Sequence, residues 1–299
     1  MKITVFGGSG FLGSHVSDKL SESGNEVTIA DRNPSPWLKD GQKMLVGDVT
    51  DKDFVLKACQ GAEVVFDFAG IADLGDANKS PEKTARINIL GTINILEACV
   101  EAQVKRVIFA SSMYVYGQHG GFYRCSKQAS ELFIEEFHKQ FGLSYTILRY
   151  GSLYGPRADK RNGIYNFLYN AITKNKINYY GSPRAMREYI NVEDAAISTV
   201  EVLKPEFANS ILILTGSQLM RIEDIFNMIS EIMGIQLEIN YEGDENSHHY
   251  SLTPYRYMPG AAKKMYPALT TDFGHGLIQV IEQVYSDLSH DGGKCENEQ

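Results

Sequence analysis

Three glycines at fixed spacing, Gly7, Gly10 and Gly13, stand between an apolar run and an amphipathic one. Lys2 to Phe6 reads as a strand and Phe11 to Ser23 as a helix, so the glycines occupy a strand-to-helix turn. Glycine permits a tight turn there and leaves the N–H groups that open the helix bare. A turn of this kind belongs to a strand–helix–strand unit. The second strand follows at Glu26 to Ala30, ending at Asp31. The alternation then continues. Met44 to Val46, Val64 to Phe68, Arg106 to Ala110 and Tyr145 to Leu148 are further short apolar strands. A helical pattern runs through Ile87, Leu90, Ile95, Leu96 and Cys99, and another from Tyr123 to Phe141. This order predicts an α/β fold with a doubly wound parallel sheet. Ligands of such sheets gather beyond the carboxyl ends of the strands. Asp31, Ala69-Gly70, Ser111-Ser112 and Tyr150-Gly151 should therefore share one rim.

After Gly151 the pattern is less regular. Gly155-Pro156 and Gly181-Ser182-Pro183 mark turns. Ser210 to Leu214 reads as a strand able to return to the main sheet, and Ile222 to Met233 as a helix. Asp244 to Pro259 is expected to be loop, with a last helix near Gly276 to Leu288 and a frayed tail from His290 to Gln299. The predicted division is a first domain over 1–150 and a smaller α/β domain over 151–299.

Composition narrows the partners. The 299 residues carry a net charge of -8 and 43% hydrophobic residues. Acidity disfavours nucleic acid and anionic membranes. No apolar run is long enough to span a bilayer, and the first residues lack the pattern of a secretory leader. Cys59, Cys99, Cys125 and Cys295 have neither metal-like nor paired spacing and read as free thiols. A cytoplasmic location is the expectation. His248-His249 lacks partners at ligand spacing, so no metal is predicted, and these histidines read as loop residues. Cys125 reads as a packing residue.

The glycine turn implies a dinucleotide. Gly7, Gly10, Phe11, Leu12 and Gly13 would hold its pyrophosphate on the helix N-terminus. Asp31 lies 18 residues after Gly13, where a carboxylate binds ribose hydroxyls and repels a 2′-phosphate. That favours NAD over NADP, although Arg32 beside it has the opposite chemistry. Asp48-Val49 either meets adenine or, for Asp48, caps the following helix. Asn88, unusual in a helix interior, bonds either backbone or cofactor. Tyr123 and Lys127 are four apart and share a helix face. An ammonium beside a phenol favours the phenolate, so the tyrosine is expected to have a lowered pKa and to act as acid/base. A hydride carrier with such a tyrosine points to redox chemistry at a carbon bearing a hydroxyl or carbonyl.

These residues also carry a resemblance. Gly7 to Gly13, Asp31, Asp48-Val49, Ala69-Gly70, Asn88 to Ala98, Ser111 to Gly117, Tyr123 to Lys127, Leu148 to Arg157 and Arg187 to Ala195 occur in the order seen in extended short-chain dehydrogenases/reductases. Within that family the chain resembles the branch of nucleotide-sugar epimerases and dehydratases. The resemblance implies a Rossmann-type nucleotide domain, NAD as cofactor and a nucleotide-diphosphate sugar as substrate. It implies that Tyr123 exchanges a proton with a sugar hydroxyl, that Lys127 bonds the nicotinamide ribose, and that Ser112 hydrogen-bonds the reacting oxygen. Ala69, Gly70, Asn88 and Tyr150 fall to the cofactor; Tyr114, Ser152 and Arg187 fall to the substrate, with Arg187 on the diphosphate. Arg187 otherwise reads as a surface partner of Glu188 or Glu193. Asp73 and His119 flank the expected site. Family members pair two subunits through helices matching Asn88 to Val100 and Ser126 to Phe141, which implies a homodimer.

The departures bear on the reaction. Met113-Tyr114 stands where 4,6-dehydratases carry Asp-Glu, which counts against water elimination. Only Gln118 to Phe122 separate Gly117 from Tyr123, a shorter link than the family's, expected to open one wall of the site or free space for a different sugar. Ser152 replaces a usual asparagine. The implied reaction is hydride transfer at a sugar carbon, C4 by preference, through a 4-keto sugar. A 4-epimerase returns the hydride; a dehydrogenase or ketoreductase does not. A catalytically silent NAD-binding scaffold is the reading of a different class, disfavoured by the intact Ser112, Tyr123 and Lys127.

Overall fold

The computed structural model describes residues 1–242, 249–254, 262–267 and 269–295. Its elements in order are β1 (Lys2–Phe6), α1 (Phe11–Glu22), β2 (Glu26–Asp31), β3 (Lys43–Val46), α2 (Lys52–Cys59), β4 (Val64–Asp67), α3 (Leu74–Lys79) and α4 (Pro81–Thr84). A π-helical turn (Ala85–Leu90) then leads into α5 (Gly91–Glu101). Next come β5 (Arg106–Ser112), a 3₁₀ turn (Met113–Tyr116), α6 (Gly121–Phe141), β6 (Ser144–Tyr150), β7 (Ser152–Tyr154), α7 (Gly163–Lys174), β8 (Lys176–Tyr180) and β9 (Met186–Asn191). The remainder is α8 (Val192–Glu201), β10 (Ser210–Leu214), β11 (Leu219–Arg221), α9 (Ile222–Met233), β12 (Glu238–Glu242), β13 (Lys263–Met265) and α10 (Phe273–Cys295).

Eight strands form one parallel sheet in the order β13-β10-β6-β5-β4-β1-β2-β3. Successive side chains of a strand point to opposite faces, and both faces here are covered. Val65, Val107 and Phe109 pack with Ile95 and Leu96 of α5 on one side. Phe66, Ile108 and Ile29 pack with Val16 of α1 and Ala195 of α8 on the other. Burying each large apolar side chain contributes about 1.5–3 kcal/mol, so the two layers hold the rim at the strand ends rigid. A third cluster, around Tyr154, Leu168, Phe226 and Val280, forms the core of the second lobe.

The division near residue 150 is not a clean cut. β10 pairs with β6, β13 pairs with β10, and α8 packs on the sheet, so the later half of the chain supplies part of the first half's layers. The lobes are also tied at α1. His15 Nε2 donates to the Pro156 carbonyl at 2.9 Å, and Arg157 Nη2 reaches Asp18 Oδ2 at 2.6 Å. The second lobe adds two small sheets, β11-β9-β7 and β12-β8. Of its elements, α7, β8 and β12 were not foreseen from periodicity. The expected loop's 244–248 and 255–259 segments, His248 included, and the tail from 296 lie outside the described residues.

Candidate active site

The glycine turn is built around backbone approaches that leave no room for a side chain. A Cβ on Gly13 would lie 2.2 Å from the Gly7 carbonyl oxygen. Gly7 has φ +76°, and a Cβ there would lie 2.6 Å from the Phe68 carbonyl carbon. At Gly10 such a Cβ would lie 3.2 Å from the Gly7 carbonyl oxygen, a tight but lesser approach. Helix α1 starts at Phe11 with no side-chain cap and no acidic residue in its first turn. Its first N–H groups thus point outward with the helix dipole behind them, a fit to a pyrophosphate. The Phe11 and Leu12 side chains pack into the cores, leaving their backbone for that role.

Asp31 ends β2 on the same rim. One carboxylate oxygen takes the Ser9 N–H at 3.1 Å and the other the Asn33 N–H at 3.0 Å. The carboxylate thereby fixes the glycine turn to the adjoining bend, with lone pairs left for ribose hydroxyls. Asp48 accepts from the Thr50 N–H at 2.8 Å and hydroxyl at 2.7 Å, which hold its pKa below the usual carboxylate range, Arg32 adding attraction. Asp51, not Asp48, caps α2. Val49 is buried under Gly91.

Two expected cofactor residues are committed elsewhere. Asn88 sits in the π-helical turn and spends its amide on protein: Oδ1 accepts the Ile71 N–H at 2.7 Å, and Nδ2 donates to the Ile71 carbonyl and Ser126 Oγ, both at 3.0 Å. It braces the Ala69-Gly70-Ile71 loop against α6, so of its two readings the backbone one describes its side chain. Tyr150 turns into the core, where its hydroxyl meets Thr199 Oγ1 at 2.6 Å. Burial pushes this phenol above its ordinary pKa. Its apolar position in the β6 alternation carries the ring away from the rim.

Ser112, Tyr123 and Lys127 converge at the end of β5. Ser112 is buried beside the Tyr123 phenol, where its hydroxyl acts to lower the phenol's pKa. Lys127 Nζ donates to the Ala110 carbonyl at 2.7 Å, 4.6 Å from the Phe109 ring centroid and 5.9 Å from that of Tyr123. The expected depression of the Tyr123 pKa is absent. Burial pushes it up to about 12, with only the Ser112 hydrogen bond acting downward. The ammonium is turned toward a backbone carbonyl rather than the phenol oxygen, and desolvation dominates. Burial likewise pulls Lys127 down to about 8 against the charges of Asp67 and Glu131.

The short link before Tyr123 is closed by Gly120 and Gly121, at φ +95° and +50°. A Cβ on Gly120 would lie 2.7 Å from the Tyr114 ring. Glycine is required there both for the left-handed backbone and for the ring. Tyr114 stands edge-on to Tyr123, centroids 6.1 Å apart, and against Tyr250 at 4.9 Å; its hydroxyl meets His249 Nδ1 at 2.5 Å. The wall expected to be open is thus lined by aromatic side chains from residues 249–254. This segment is held by Met186 N–H to the Ser251 carbonyl (2.7 Å) and Glu188 N–H to Thr253 Oγ1 (3.0 Å). Periodicity gave no sign of it, since His249 and Tyr250 lie in irregular backbone.

Arg187 enters from β9 and is 8% exposed. Nη2 donates to the Tyr179 hydroxyl at 3.2 Å, the Tyr250 ring lies 5.8 Å away, and Nε is buried without a partner. Among the described residues Arg187 makes no ion pair; Glu188 pairs instead with Lys264 at 2.9 Å. A buried guanidinium with an unused donor has the chemistry to accept an anion. Ser152 Oγ lies 3.5 Å from the Tyr250 hydroxyl. Asp73 caps α3, His119 is exposed, and Cys125 is exposed rather than packed. Among the described residues no cluster of ligating groups suits a metal.

A Rossmann-type sheet with a bare glycine turn, a carboxylate closing β2 and a Ser–Tyr–Lys trio at the β5 end defines a dinucleotide-dependent oxidoreductase-like site. Residues 3–210 match the family model described as the NAD dependent epimerase/dehydratase family. The chain belongs to that family, and NAD is its cofactor. A Methanocaldococcus jannaschii protein, named as a candidate UDP-glucose 4-epimerase, is 28% identical over 84% of this chain and 88% of its own length. The UDP-glucose 4-epimerase of Thermotoga maritima, solved with UDP-glucose, shares the fold at TM-score 0.84 and 24% identity, over 96% of this chain and 100% of that one. MoeE5, solved with UDP-glucuronic acid and NAD, shares it at TM-score 0.84 and 22% identity, over 96% and 100%.

Proposed function

We propose that this enzyme acts on a nucleotide-diphosphate sugar, of the UDP class carried by its relatives, as a 4-epimerase. The carrying observation is the convergence of Ser112 and Tyr123 at the β5 end with the guanidinium of Arg187 beyond them, which among the described residues has no acidic partner and a free Nε. Arg187 would take the diphosphate, and Ser152 and Tyr114 would contact the sugar side. Gly7, Gly10, Phe11, Leu12 and Gly13 would hold the cofactor pyrophosphate by backbone, Asp31 its ribose, and Asp48, Val49, Ala69 and Gly70 the remaining rim. Bound NAD⁺ would supply a hydride acceptor for the reacting carbon.

Tyr123 Oη removes the proton of the sugar hydroxyl. Ser112 hydrogen-bonds the oxygen as it gains carbonyl character, a preorganised stabilisation. Lys127, held on the Ala110 carbonyl beside the ring, would bond the nicotinamide ribose rather than act on the phenol directly. For epimerisation the keto sugar must turn over before it is reduced. An ionic anchor at Arg187 and a wall of flat rings, Tyr114 and Tyr250, suit a sugar held at one end and free at the other. Dehydrogenase or ketoreductase action uses the same residues and remains the second reading, favoured by the short Gln118–Phe122 link. Purified enzyme mixed with NAD⁺ and UDP-sugars decides: a changed sugar without net NADH supports epimerisation, NADH accumulation supports dehydrogenation, and neither with any nucleotide sugar sinks the proposal.

Asp31→Ala should erode the preference for NAD over NADP at least tenfold, read as the ratio of kcat/KM values. An unchanged ratio removes Asp31 from the ribose site. We also infer a homodimer. On α6, Leu132 and Phe133 are 67% and 42% exposed, and Leu90, in the π-helical turn before α5, is 43% exposed. Charge does not belong on a paired apolar face, so Leu132→Glu should halve the mass seen in sedimentation; an unchanged mass excludes this face. Among the described residues no helix is long and apolar enough to cross a membrane. The unpaired Cys59, Cys99 and Cys125 suit a reducing cytoplasm.

A further inference from the structure

Asp67, the last residue of β4, is 1% exposed and belongs to none of the roles above. One carboxylate oxygen takes the Ala69 N–H at 3.1 Å and the other the Thr92 hydroxyl at 2.9 Å. Among the described residues no cation lies within ion-pairing distance of it. A buried carboxylate with only neutral donors is costly to keep. Its surroundings point to the compensating charge. Asp67 is in register with Phe109 of the neighbouring parallel strand, which sends both side chains to the same face. Lys127 Nζ lies over that Phe109 ring.

We propose that Asp67 is a positioning residue acting through Lys127, its carboxylate supplying the buried negative charge that keeps the catalytic-site ammonium charged. The inference rests on the reading of Tyr123 and Lys127 as the acid/base pair. The groups facing Lys127 are Tyr123 and Glu131 from α6 and Asp67 from β4; Arg149 of β6 faces Glu131, and Cys99 and Cys59 lie behind Asp67. Glu131 does not serve as well as Asp67, because Arg149 already neutralises it through two hydrogen bonds of 3.0 and 2.6 Å. The Asp67 charge has no such competitor. Burial pushes Asp67 up to about 6, and the first influence pulling it back is Lys127. In turn the first influence holding Lys127 up against burial is Asp67. Between these two values the pair is ionised on both sides.

The test needs neither substrate nor cofactor, so it separates this inference from the sugar reading. Lysine carrying ¹³C at Cε is incorporated into the full chain, and the Lys127 resonance is assigned by its loss in Lys127→Met. Its titration midpoint should fall by about one unit or more in Asp67→Asn, where the amide retains the shape and loses the charge. Asp67→Glu should restore most of it. Thr92→Val, which removes a hydrogen bond but no charge, should shift it far less. The wild-type resonance alone should show a minor inflection near 6 as Asp67 ionises. An unmoved midpoint in Asp67→Asn, an equal shift in Thr92→Val, or a wild-type curve without the minor inflection overturns the proposal. Failure of every sugar to react, with these shifts present, leaves it standing.

Discussion

Tyr123→Phe should reduce turnover by about 10³-fold or more, the scale of losing a positioned acid/base. NAD affinity should stay within a few-fold, because the glycine turn and Asp31 lie on other strands. The phenyl ring keeps its edge contact with Tyr114 and loses only the oxygen that meets Ser112. Kinetics together with equilibrium dialysis of NAD make the check. A mutant that retains more than a tenth of the activity excludes Tyr123 as the proton acceptor. A mutant that loses turnover and cofactor binding together indicates a collapsed site. The scaffold reading makes the opposite forecast, since a binding module does not need the hydroxyl.

The second large effect concerns stability. Glu131 lies one turn after Lys127 on α6, buried, and takes Ser111 Oγ at 2.5 Å together with the Arg149 fork. Arg149 itself stacks on Tyr116, 4.6 Å from the ring centroid. Glu131→Ala would leave a buried guanidinium and a serine hydroxyl unpaired. Breaking one side of such a pair costs about 3–5 kcal/mol, against total stabilities of about 5–15 kcal/mol. The urea midpoint should drop accordingly with an unchanged slope. Adding Arg149→Met should recover much of the loss, because no orphaned charge then remains. A loss below about 1 kcal/mol would mean that water reaches Arg149 and screens it.

The sheet was legible because its strands are short, apolar and buried on both faces, and its helices carry one apolar stripe each. Ser210 to Leu214 and Ile222 to Met233 were bounded as they occur, being apolar runs ended by polar turns. Tyr123 and Lys127 were legible because helical spacing alone puts them on one face. What could not be read is what depends on distant chain. Asp67 gains meaning only through the β4–β5 register, and Glu131 through Arg149 on β6. His249 and Tyr250 reach Tyr114 from irregular backbone more than a hundred residues away, with no periodic mark. Tyr150 shows the converse error: its place at a strand end suggested the rim, while its apolar phase within the strand sent the ring to the core. The Tyr123 pKa was misjudged because helical spacing says who is near, not where an ammonium points or how dry the pocket is.

The return of β10 to lie beside β6 has a consequence for how the molecule is made. During synthesis β6 leaves the ribosome some sixty residues ahead of its partner, and Tyr250 follows Lys127 by more than a hundred. At about 5–20 residues per second, the nascent sheet carries a bare flank for several seconds. In that interval it has its glycine turn but not the Tyr250 ring that packs on Tyr114. The growing chain is therefore exposed to pairing with neighbouring nascent chains along β6, and the strand that ends this exposure belongs to the half that also brings Arg187 and Tyr250.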